Sequence, residues 1–127
     1  MEEDALKEAL KSYRRLAKAN PQKYSPRVAQ TLGNLSYLKL TMNEYTKSEQ
    51  YAEEGLAADS TQHWMVGNLA IALLFQGKYE KAEMVCRQYK DELKDGFLDD
   101  LKQFGETRVK PKEWEADVEK IRQVINE

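Results

Sequence analysis

The chain has 127 residues, of which 33% are charged and 41% apolar, with three prolines, six glycines and a formal net charge of −2. That balance suits a folded, helix-rich domain rather than a disordered chain, and a chain of this size buries roughly 65–70% of its unfolded surface. The small net charge excludes a global pull toward nucleic acid or anionic membrane, and no apolar run approaches the ~20 residues of a membrane span.

The opening MEEDALKEAL is acidic where a signal peptide is basic and then apolar. Residues 3–19 read as a helix, with Leu6, Leu10, Tyr13 and Ala17 on one stripe. Asn20-Pro21 ends it, because proline disfavours helix at the residue before it. Ser25-Pro26 predicts an N-cap and a first helical residue, opening a helix to about Met42 with Val28, Leu32, Leu35 and Leu38 inward. Asn43 suits a left-handed C-cap, and residues 44–58 return. Asp59, Ser60 and Thr61 offer caps for a third long helix through about Gln76. Gly77 takes the positive φ, and residues 78–94 return. Asp95-Gly96 ends that pair, residues 97–104 form a short helix closed by Gly105, and residues 106–110 form a loop. Pro111 opens a last helix with Trp114, Val118, Ile121 and Ile125 on one face. Seven helices and no strand predict an all-α fold.

One stretch organises the rest. Residues 67–83 read GNLAIALLFQGKYEKAE, and residues 33–49 read GNLSYLKLTMNEYTKSE. Gly33/Gly67, Asn34/Asn68, Leu35/Leu69, Leu40/Leu74, Tyr45/Tyr79, Lys47/Lys81 and Glu49/Glu83 are identical pairs, each 34 residues apart. Self-similarity at one period marks a supersecondary unit that has been copied and stacked.

This 34-residue helix–turn–helix period resembles the tetratricopeptide repeat. The resemblance sets residues 29–62 as a first repeat and 63–96 as a second, within one domain spanning 1–127. Residues 3–20 then form a preceding half-repeat helix, and 97–127 form C-terminal capping helices. The signature positions are Leu32, Leu35-Ser36, Tyr45 and Ser48-Ala52-Gly55 in the first repeat, and Val66, Leu69-Ala70, Tyr79 and Ala82-Cys86 in the second. Tyr89 departs from the pattern where a small residue is expected, and Ser60 replaces the usual proline. About five extra residues, 22–26, lengthen the turn before the first repeat. The implied fold is a right-handed α-solenoid, similar in its last part to the ends of longer bacterial arrays.

In that family the first helix of each repeat lines a concave groove for a peptide or partner helix. Carried over, the groove is Gln30, Gly33, Asn34, Tyr37 and Thr41 with Trp64, Gly67, Asn68, Ile71 and Phe75. Asn34 and Asn68 match positions from which an amide can hydrogen-bond a peptide backbone, while Tyr37, Trp64, Ile71 and Phe75 supply an apolar lining. Gly33 and Tyr37 replace the lysine and asparagine of a carboxylate clamp, so that mode is not expected.

Catalytic signals are absent from the pattern. His63 is the only histidine, with no nucleophile or carboxylate marked for it. Cys86, the only cysteine, reads as buried filler; it forms no internal disulfide and suits a reducing compartment, so the cytoplasm is the expected location. One histidine and one cysteine exclude the usual zinc sets. Asp91, Glu92, Asp95, Asp99 and Asp100 lack EF-hand spacing and read as a solvated acidic face. Lys7, Lys11, Arg14 and Lys18 form a basic stripe on the first helix and read as a solvated face as well. The expectation is a non-catalytic scaffold or adaptor for a protein or peptide, with no cofactor, metal, nucleic acid or membrane partner. The alternative is a homodimerisation element or regulatory fragment of a larger protein.

Overall fold

A computed structural model describes residues 2–127, and among these the chain is all-α, with eight α-helices, one short 3₁₀ turn and no strand. Helix α1 (Glu2–Ala19) carries three acids in its first turn and Lys18 in its last, matching the helix dipole. It lays Leu10 against Val28, Leu32 and Leu35 of α2 (Pro21–Thr41).

Helix α2 begins five residues before the Ser25-Pro26 start that the sequence predicts. The Asn20 side chain accepts from the Lys23 N–H at 3.3 Å, and Pro21 takes the first helical position. The expected long turn over residues 22–26 is therefore helix. Pro26 lies inside it on the exposed surface, where it donates no backbone hydrogen bond, and its carbonyl accepts from Gln62 Nε2 at 2.8 Å.

The turn from α2 into α3 (Tyr45–Ala58) has Asn43 at φ 62°, and the turn from α4 (Val66–Phe75) into α5 (Tyr79–Gln88) has Gly77 at φ 73°. Their hydrogen bonds match atom for atom. Asn43 N–H donates to Leu40 and Glu44 N–H to Lys39; Gly77 N–H donates to Leu74 and Lys78 N–H to Leu73. Both are Schellman caps, 34 residues apart.

Small residues sit where the paired helices cross, which lets their axes approach. In the first pair Ser36 Oγ donates to the Ser48 carbonyl at 2.9 Å and Ser48 Oγ to the Ser36 carbonyl at 2.8 Å. The second pair has fully buried Ala70 and Ala82 at those places. A 3₁₀ turn (His63–Met65) leads into α4, whose residues from Leu69 to Phe75 are all buried. Such a helix is central, covered on every side.

The second returning helix is shorter than residues 78–94 predict. It breaks at Tyr89 (φ −113°), whose ring meets His63 edge-on at 5.2 Å, and resumes as α6 (Lys90–Leu93). After Gly96 (φ 90°), α7 (Phe97–Glu106) runs through Gly105 instead of stopping there. Gly105 serves packing: a Cβ on it would come within 3.1 Å of the Trp114 ring. Helix α8 (Trp114–Ile125) starts three residues beyond Pro111 and buries Trp114, Ile121, Val124 and Ile125. It runs alongside α5 in the same direction, with Lys120 over the Tyr79 ring and Arg87 bonded to Glu127 at 2.8 Å. The break at Tyr89 makes eight helices rather than the expected seven.

Candidate functional site

Helix α7 crosses the face formed by α2 and α4. Phe97 packs near Gly67 at the start of α4, while Arg108, just past α7, donates to Asn43 Oδ1 at 2.8 Å beyond the end of α2. Between the three helices lies a cleft of about 280 Å³. Tyr37 forms its α2 wall; Trp64, Asn68 and Ile71 come from the 3₁₀ turn and α4; Asp100, Gln103 and Phe104 come from α7.

Trp64 owes its seat to Gly33. A Cβ at position 33 would lie 2.3 Å from the tip of the indole, so any larger residue there would push the ring from its present seat on α2. The indole N–H donates to Gln62 Oε1 at 3.2 Å. Trp64 nonetheless stays 51% exposed and Tyr37 53%.

The structure brings five of the expected groove residues together, Tyr37, Trp64, Gly67, Asn68 and Ile71, with Ile71 as a nearly buried floor at 4% exposure and Gly33 beneath the Trp64 ring. It does not bring Gln30, Asn34, Thr41 or Phe75 to the cleft. Gln30 and Asn34 are exposed nearer the start of α2, and Thr41 gives its hydroxyl to the Leu38 carbonyl at 2.7 Å. Phe75, only 6% exposed, is core: it stacks on Tyr45 at 4.7 Å and tilts on Trp114 at 4.5 Å. Placing Phe75 in an open groove is therefore corrected; α8 brings Trp114 over it. Sequence reasoning missed Asp100, Gln103 and Phe104, whose only signal is the amphipathic pattern of α7.

A second cleft of about 330 Å³ shares Trp64, Gly67, Phe97 and Asp100 and adds His63, Glu92 and Asp95. His63 Nδ1 lies 2.8 Å from Glu92 Oε1, a partner that the sequence does not mark. Neither cleft has a serine, threonine or cysteine in its lining. Half-exposed aromatics beside carboxylates make a seat for a side chain with an apolar stem and a positive head.

Elsewhere, polar groups serve the framework. Burial alone would raise the Glu49 carboxyl, yet bonds from Lys78, Lys81 and Gln76 hold it down at about 2, tying α3 to α4 and α5. Lys39, almost wholly buried, bonds Glu3 at 2.9 Å and Glu44 at 3.1 Å, and with Lys7 it holds the Glu3 carboxyl at about 2. Burial pushes the Cys86 thiol up to about 12. Among the described residues no three histidine, cysteine or acidic side chains cluster closely enough for a metal ion, and no helix is long and apolar enough to cross a membrane.

Compared with known proteins, the chain matches no family model, no curated protein and no solved structure.

Proposed function

We propose that the chain is a non-catalytic interaction module, a right-handed α-solenoid of tetratricopeptide type, whose α2–α4–α7 cleft receives a short peptide. The solenoid reading is supported by the matched Schellman turns and by small residues at matched helix crossings. In it, α2–α3 and α4–α5 are the two full repeats, α1 is a preceding half-repeat, and α7–α8 close the far end. A cytoplasmic adaptor role accompanies this reading, in keeping with the free thiol of Cys86.

The observation that carries the binding role is the pair Tyr37 and Trp64, each more than half exposed on either side of a cleft with Asn68 inside it. Large aromatics left open around a polar group are the composition of an interface centre. Asp100 and the neighbouring Glu92 and Asp95 select for lysine or arginine beside an apolar residue.

The test is a peptide-display selection on the immobilised protein, followed by fluorescence anisotropy of the consensus peptide. Tyr37→Ala/Asn68→Ala is the variant of choice, because charges at Ile71 or Phe75 would disrupt the core. We expect binding to weaken at least tenfold. Unchanged binding removes the cleft from consideration. A stable dimer in sedimentation that shields Trp64 makes the face a self-association surface instead.

A further inference from the structure

We infer that the groove between α1 and α3 is a second, separate binding site, fitted to an acidic peptide segment of a partner protein. The groove measures about 540 Å³, the largest of the surface clefts described here, and Leu10 and Tyr51 lie among its lining. Five cations line it, Lys7, Lys11, Arg14, Arg15 and Lys18, against the single carboxylate of Glu54.

Two of the five are occupied within the chain: Lys7 by Glu3 at 2.9 Å and Arg14 by Glu54 at 3.2 Å. Among the described residues, Lys11, Arg15 and Lys18 pair with no carboxylate, although the chain as a whole carries more acids than bases. The local imbalance is large, because residues 9–43 hold seven lysines and arginines and no acid. Unpaired cations gathered along one cleft of a net-acidic protein are complementary to an external anion.

The geometry favours a peptide. Lys7, Lys11, Arg14 and Lys18 recur at four, three and four residues along about 16 Å of helix. Acids at the same spacing on an incoming helix meet them side by side, as charged flanking positions do in paired helices, while Leu10 and Tyr51 take its apolar edge. Duplex nucleic acid presents two phosphate rows, and the carboxylates of Glu3 and Glu54 would oppose them.

The probe is a fluorescein-labelled helical peptide with glutamate at alternating third and fourth positions and leucine between, followed by anisotropy. Its lysine-for-glutamate counterpart is the control. Wild type binds the acidic peptide only, more weakly as salt is raised to about 0.15 M. Lys11→Gln/Arg15→Gln lowers affinity at least tenfold, Lys11→Glu/Arg15→Glu abolishes binding, and Lys11→Arg/Arg15→Lys restores it to within about threefold. Both residues are exposed, so these variants keep the fold, which circular dichroism checks. Binding that ignores the glutamine pair overturns the site, as does displacement by millimolar inorganic phosphate, which makes it a phosphate site. Oligomers that only the charge reversal dissolves make the occupant a second copy and overturn the partner assignment. Tyr37→Ala/Asn68→Ala leaves acidic-peptide binding intact, which separates this site from the α2–α4–α7 cleft.

Discussion

Where α2 crosses α3, two hydroxyls each donate to the backbone of the opposite helix; where α4 crosses α5, two alanine methyls meet instead. The same substitution of chemistry under constant geometry recurs at the turns, where Asn43 and Gly77 share one left-handed conformation. It recurs again one layer in, where Ala52 of the first pair answers to Cys86 of the second, both fully buried. What is held constant is size at the crossing and backbone sign at the turn. Polarity is free to vary as long as each hydroxyl finds an acceptor.

If the two pairs are equivalent, the largest test is the identical core pair. Leu40→Ala and Leu74→Ala should each cost about 2–5 kcal/mol in urea unfolding and differ by no more than about 1 kcal/mol. A larger gap would show that the pairs do not share one packing environment.

Next comes the tie between pairs. Glu49→Gln should cost about 1–2 kcal/mol at neutral pH, because it uncouples Lys78 and Lys81 from a nearly buried carboxylate. Glu49 and Glu3 both titrate near 2 in the folded chain, below the ordinary 4.5, so the unfolded chain binds more protons between those values. The stability these two carboxylates contribute is present above about pH 4.5 and is lost as pH falls toward 2. In Glu49→Gln the melting temperature should fall less steeply over that window.

The turns come third. Gly77→Ala should cost about 1 kcal/mol and Gly77→Asn less, since asparagine already holds that conformation at position 43. The smallest effect belongs to the crossing itself. Ser36→Ala/Ser48→Ala copies the second pair into the first and should cost less than about 1 kcal/mol by thermal melting, whereas bulk at either position should cost several times more.

The sequence made the helices and the 34-residue turns legible because those depend on local periodicity and on residues such as Asn43 and Gly77 that accept positive φ. It misplaced the start of α2 because Asn20 and Ser25 are both good caps followed by proline, and only the Asn20 hydrogen bond to Lys23 distinguishes them. The break at Tyr89 and the role of Gly105 were hidden for another reason. Each depends on a ring brought from elsewhere, His63 in one case and Trp114 in the other. The cleft was half legible. Its α2 and α4 walls follow from the repeat, but its α7 wall depends on how Phe97 and Arg108 anchor to Gly67 and Asn43, contacts that no period encodes.

The two tryptophans give the molecule a pair of optical reporters at different depths. Trp64, half in water at the mouth of the cleft, emits toward the red and responds to whatever arrives there. Trp114, wedged between Phe75 and the Gly105 surface, emits toward the blue until the C-terminal helices let go. A single emission spectrum, decomposed into those two bands, therefore follows occupancy of the cleft and fraying of the C-terminal helix in the same cuvette, without a label.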